Sequence, residues 1–304
     1  MLRMALPAVA LPSRLPVVSR VGAYVALTKP RIIELLLITT LPTMILAKGG
    51  LPDVWLMVAT LLGGALAAGG ANAINMYVDR DIDKLMHRTR KRPLVTGVIA
   101  PRNALIFAIT LEVVAFVELW AWVNLLSAVL AVSATLFYVF IYTLWLKRTS
   151  KQNIVIGGAA GAMPVLVGWA AVTDSLAWAP VVLFGIIFLW TPPHFWALAF
   201  KYKDDYEAAS VPMMPVVATF RRTAIEIMAY TVAMVALTLV LAPVAHLGTL
   251  YVVAAAVLGA GFVALAGRLW VQATPKASMQ LFSYSITYLT LLFVVMAVDV
   301  FITH

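Results

Sequence analysis

Residues 72–97, NAINMYVDRDIDKLMHRTRKRPLVTG, decide how the chain is built. An apolar run over 54–78 leads into this stretch and another over 103–122 leads away from it. Three aspartates and a dense cationic tract therefore sit at the joint between two long hydrophobic segments. Asn75, Asp79 and Asp83 recur at i, i+4 and i+8 and share one face of a helix, whereas Asp81 points elsewhere. Three oxygen-bearing side chains on one face suit a hard divalent cation, and Mg²⁺ sites of this kind usually also touch substrate phosphates. Arg88, Arg90, Lys91 and Arg92 follow closely, and guanidinium forks pair well with phosphate oxygens. Metal and arginine together would hold a diphosphate. For the cations alone, a solvated loop that only sets topology is the competing account. That account does not cover the aspartates, because three negative charges so near a bilayer are costly without a counter-ion.

Composition agrees with the apolar flanks. Hydrophobic residues make up 63% of the 304 and charged residues only 12%, about half the share in soluble domains. The fold class is therefore all-α and polytopic in the membrane. With no cysteine, disulfides, thiol nucleophiles and Cys-bound metals are excluded. The net charge of +9 could attract nucleic acid, but the placement of the cations speaks for membrane topology and against a nucleic-acid partner. Residues 1–20 hold three arginines, three prolines and no acid, and read as a disordered cytoplasmic tail, with a transit peptide as the alternative.

Nine apolar segments of spanning length follow, at 31–47, 54–78, 103–122, 124–146, 154–172, 177–200, 223–245, 248–267 and 281–302. With the N-terminus inside, all 22 Lys and Arg except Lys48 fall on the cytoplasmic side, which places both long charged loops there. Within spans, Asp299 and Glu118 lie near the outer edge and read as snorkelling, while the deeper Glu112 reads as a buried, hydrogen-bonded structural acid. The glycines of GGALAAGGA and GGAAGA read as close helix packing.

A second charged stretch, TPPHFWALAFKYKDDYEAASVPMMP at 191–215, ends the sixth span. Pro192 and Pro193 predict a kink or break there, just before His194. Setting Pro93 over Pro215 lays Asp83 on Asp205, Asp79 on Lys201 and Asn75 on Ala197. This is a weak internal repeat of 31–146 in 154–267, with 281–302 added, inside one domain covering 21–304.

The chain resembles the UbiA-type intramembrane prenyltransferases, and within them the haem branch, the protohaem IX farnesyltransferases. The resemblance is carried by TKPRIIELLLITTLPTMILA at 28–47, NMYVDRDID at 75–83, RTRKRPLVTG at 88–97, NIVIGGAAGAMPVLVGWAAVT at 153–173, TPPHFWALAF from 191 and DDYEAASVPMMPVV to 217. The Asn-Asp-Asp spacing marks the superfamily; the 153 and 191 blocks are specific to the branch. One departure is Lys201, which stands where many members carry the first acid of a second D-x-x-x-D, so the number of metal ions stays open.

The resemblance implies a nine-helix bundle around an apolar cavity opening to lipid, in a bacterial inner membrane, with the mitochondrial inner membrane as the alternative. It implies farnesyl diphosphate and haem B as substrates, Mg²⁺ as cofactor, and haem O for terminal oxidases as product. Haem A synthase or oxidase assembly factors are the implied partners. Asn75, Asp79, Asp83 and Asp205 would bind metal, and Asp79, Asp83, Lys201 and Asp205 would serve ionisation, with Lys201 pairing directly with a diphosphate oxygen. Arg88, Arg92, Lys147, Lys151, Lys201 and Lys203 form the cation pool for diphosphate and haem propionates, and His194 would serve the haem side. Tyr77, Tyr138, Tyr142, Phe195 and Trp196 are candidates to face an allylic cation. Two other readings are the same transfer to a quinone-precursor aromatic and a secondary transporter. The branch blocks argue against the first, and the clustering of charge at one face against the second.

Overall fold

The computed structural model describes residues 17–303, and the described residues form helices and turns only. A short helix α1 (Val17–Thr28) precedes α2 (Pro30–Lys48), and α3 (Val54–Val78) and α4 (Pro101–Trp122) flank the first charged loop. Then come α5 (Leu125–Thr149), α6 (Asn153–Thr173) and α7 (Trp178–Lys201). After the second charged loop, which holds α8 (Lys203–Ala208), α9 (Phe220–Val244), α10 (Thr249–Gln272) and α11 (Pro275–Thr303) complete the chain. The eight helices α3 to α7 and α9 to α11 are long and apolar enough to cross a membrane, a crossing needing about 20 residues. The first expected span coincides with α2, a 19-residue helix. The expected tail of residues 1–20 lies mostly outside the described residues, but α1 begins at Val17, inside it.

Each long helix packs on the next along the chain, and the ring closes where α11 meets α2. Short links enforce this order, since Val123 and Asn124 alone separate α4 from α5. Close approach needs small residues: a Cβ on Gly63 of α3 would lie 2.5 Å from Leu119 of α4. Large apolar side chains such as Val113, Val117, Val257 and Phe301 face outward, as lipid contact requires.

Three expectations need correction. Of the kink or break expected at Pro192 and Pro193, the break does not occur: α7 runs on to Lys201. The prolines leave the Phe188 and Leu189 carbonyls without helix donors, and Thr191 Oγ1 donates to the neighbouring Ile187 carbonyl at 2.8 Å. Asp299 does not snorkel: at 1% exposure its carboxylate accepts from the backbone N–H groups of Gly248 (2.6 Å) and Tyr251 (3.1 Å) and caps α10 from a neighbouring helix. Glu118, at 6% exposure, is likewise buried, pressed against Gly63. Glu112 behaves as expected, accepting from Thr135 Oγ1 at 3.2 Å. Asp299→Ala should orphan both N–H groups of α10 at about 1–3 kcal/mol each. A lowered unfolding midpoint in detergent, partly recovered by Asp299→Asn, is the expected result; an unchanged midpoint would deny the cap.

Candidate active site

The apolar face of α3 ends where its polar one begins. Asn75 lies in the last turn, Asp79 terminates the helix, and the Asp83 N–H bonds the Asp79 carbonyl at 2.8 Å. A 3₁₀ turn over Ile82–Lys84 follows, so the helical spacing persists beyond the helix and all three side chains stay on one buried face. Asp81, between them, turns outward to Arg148, with both contacts at 2.7 Å. That bidentate bond holds its carboxyl at about 2, below the usual aspartate range.

Asp79 is fully buried. Its Oδ2 accepts from Asn75 Nδ2 at 2.9 Å and from Lys147 Nζ. Asp83 takes Arg92 Nη1 on both oxygens, at 2.8 and 2.7 Å. Asn75 Nδ2 also reaches Thr143 Oγ1 at 3.1 Å. Lys147 is brought to Asp79, and Thr143 to Asn75, by a π-helical segment of α5, Phe137–Leu146, in which the Lys147 N–H reaches the Tyr142 carbonyl. On the same segment Tyr138 and Tyr142 stack at 5.4 Å, and Gly157 leaves room for Tyr142, since a Cβ there would lie 2.3 Å from the ring.

Two cations of the cluster escaped the sequence reading. Lys29, which counted only towards topology, donates from Nζ to Asn75 Oδ1 at 2.9 Å. Its backbone is left-handed (φ 53°), and Asn72 Nδ2 pins the preceding residue by bonding the Thr28 carbonyl at 3.0 Å. Burial, then repulsion from Arg92 and Lys147, lowers the Lys29 ammonium to about 7. Arg148 lies 3.7 Å from Asp79 Oδ1 while bonded to Asp81. No sequence signal separates these residues from the many other cations of the loops.

Asp205, on the second charged loop, reaches the first. Its oxygens accept from the backbone N–H groups of His87 (2.8 Å) and Arg88 (3.2 Å), tying the second charged loop to the first. Arg88 bonds the Tyr206 hydroxyl at 3.1 Å and lies over the Tyr202 and Tyr206 rings. Among the described residues no three His, Cys, Asp or Glu side chains group together. Lys151, Lys201 and Lys203 are exposed, with Lys201 Nζ over the Tyr202 ring at 5.6 Å. His194 is buried one helix away, bonded to Ser285. Of the aromatic candidates, Trp196 is sealed in the core against Tyr230, Tyr77 carries Arg80 over its ring, and Phe195 is partly exposed.

The donors fit Mg²⁺. They are hard oxygens, and Asp79 Oδ1 is buried with no hydrogen-bond partner, with the Arg148 guanidinium 3.7 Å away. Lys29, Arg92, Lys147 and Arg148 surround the carboxylates at the ends of the helices, an arrangement able to hold a polyanion.

A model of the UbiA prenyltransferase family matches residues 36–294. The chain belongs to the UbiA prenyltransferase family. It is a multi-pass membrane protein of that family, and its relative named protoheme IX farnesyltransferase in Renibacterium salmoninarum is 51% identical, the match covering 96% of this chain and 93% of the relative. The UbiA fold recurs in a solved digeranylgeranylglyceryl phosphate synthase (TM-score 0.76, 16% identity, 93% of this chain and 99% of that one). It recurs again in a UbiA homolog from Archaeoglobus fulgidus bound to DMAPP and Mg²⁺ (TM-score 0.63, 18% identity, 91% and 99%).

Proposed function

We propose that the protein transfers the farnesyl group of farnesyl diphosphate to a vinyl group of haem B, with addition of water, giving haem O and diphosphate. The reading rests on the near full-length likeness to a relative named for protoheme IX farnesyl transfer, and on the buried Asp79–Asp83 cluster that could manage a diphosphate. The N-terminus and both charged loops lie on the cytoplasmic side of a bacterial inner membrane, and α2 is the ninth crossing.

Ionisation breaks the bond between the farnesyl C1 carbon and the diphosphate oxygen. Charge grows on the leaving group, and preorganised cations stabilise it. Lys147 and Arg92 now bond Asp79 and Asp83 and would exchange part of that contact for diphosphate oxygens. Burial and the Arg92 and Lys147 charges disfavour the Lys29 ammonium against the pull of Asp79 and Asp83, so a further anion beside it would favour that form. Mg²⁺, when bound by Asp79 and Asp83 with the Asn75 carbonyl, supplies further positive charge to the same oxygens. The stacked Tyr138 and Tyr142 offer π-faces to the allylic cation until the vinyl carbon attacks. Water then captures the cation on the porphyrin side and gives up a proton.

Membranes supplied with haem B, farnesyl diphosphate and Mg²⁺ should yield haem O by mass. Prenylated quinone precursors in its place would move the acceptor, and no prenylated product at all would overturn the reading. Within the cation pool, Lys201→Ala should change the KM for farnesyl diphosphate less than about twofold, because Lys201 is exposed on Tyr202. A tenfold rise would restore it as a direct diphosphate ligand.

A further inference from the structure

His194 sits in α7 about 10 Å, at 1.5 Å per residue, before the helix ends at Lys201. It is buried, and three aromatic rings pack against its ring. Trp190 stacks on it at 4.1 Å with planes 19° apart, Phe282 of α11 tilts over it at 4.7 Å, and Phe195 meets it edge-on at 5.2 Å. The Trp190 indole is itself tied to α11, donating to the Ser285 carbonyl at 2.8 Å.

The hydrogen bonds also fix where the ring proton resides. Ser285 Oγ lies 2.6 Å from the Phe282 carbonyl, which can only accept, so the single hydroxyl proton points there. At 2.7 Å from His194 Nδ1 the same oxygen must then accept, which places the proton on Nδ1. Nε2 is left with a lone pair and makes no hydrogen bond among the described residues. A neutral imidazole with one nitrogen donating to a protein oxygen and the other free is the arrangement that orients histidine for a metal.

We propose that Ser285 is a positioning residue that holds His194 as the Nδ1–H tautomer, and that His194 Nε2 is an axial ligand of the haem B iron. The inference rests on haem B being the acceptor. Asp205 ties the loop at the end of α7, the helix that carries His194, to the loop at the end of α3.

The test is a titration of ferric haem B into the purified full-length protein, read by Soret absorption and electron paramagnetic resonance. Wild type should show a nitrogen-ligated iron. His194→Ala should lose that signature, and added imidazole should restore it. Ser285→Ala should weaken haem binding roughly 10- to 100-fold, and Ser285→Thr, which keeps the hydroxyl, should recover most of it. Farnesyl diphosphate binding, measured separately with labelled substrate, should be unchanged in all three. An unaltered iron signature in His194→Ala overturns ligation, and wild-type haem affinity in Ser285→Ala overturns the positioning role. Haem O formed at the wild-type rate by His194→Ala would defeat the inference and leave the farnesyl-transfer reading standing. A wild-type protein that ligates iron yet makes no haem O would defeat that reading and leave the ligation intact.

Discussion

Asp79→Asn should reduce haem O formation at least about 100- to 1,000-fold while the protein still elutes as a folded particle in detergent. The carboxylate is fully buried, bonded by Asn75 and Lys147, and 3.7 Å from Arg148. Its neutral isostere keeps the shape but leaves Lys147 without a counter-ion, and a buried cation so exposed costs several kcal/mol. Two losses then add: the oxygen with no partner, suited to Mg²⁺, and the alignment of Lys147. Chelation should stop the wild type, and Mg²⁺ should restore it. In Asp79→Asn, raising Mg²⁺ should recover little. Turnover within tenfold of wild type would remove Asp79 from the centre of the site.

Asp205→Ala should raise the KM for farnesyl diphosphate about 10- to 100-fold with a smaller fall in kcat, since two charge-assisted bonds to the His87 and Arg88 backbone are lost at about 1.5–3 kcal/mol each. The loop so released carries Asp83 and Arg92, which must be in place before substrate arrives. Asp205→Asn keeps one acceptor oxygen and should fall between. The Mg²⁺ dependence should not change, because Asp205 is occupied with backbone N–H groups. A steeper dependence on Mg²⁺ in the variant would return Asp205 to the metal ligands that the family pattern suggested.

Much of this architecture was legible in the residues themselves. Hydropathy located the helices because lipid contact demands long apolar runs; the expected span 54–78 is α3. The i, i+4, i+8 aspartate face was also readable, since helical geometry carries it past the end of α3. What could not be read lies in contacts between distant segments. Lys29 meets Asn75 and Arg148 meets Asp81 only once the ring of helices closes, and nothing in RTSK marks Arg148 above Lys151. Asp299 looked like a snorkelling acid because position along a span does not tell whether a neighbouring helix begins beside it. The repeat that lays Asp79 on Lys201 and Asp83 on Asp205 aligns residues in sequence, and could not tell that Lys201 lies over Tyr202 or that Asp205 reaches the Arg88 N–H.

The π-helical segment Phe137–Leu146 has a further bearing on how such a chain can change. Its wider turns shift the phase between the first half of α5 and Lys147. One residue removed there would swing everything downstream by roughly 100° about the helix axis, turning Lys147 off Asp79. In-frame loss of a single codon, harmless in most surface loops, would here disconnect the buried charge cluster without touching any residue in it. Length across this segment is therefore under as much constraint as identity, and gaps should be absent from it in working descendants of the gene.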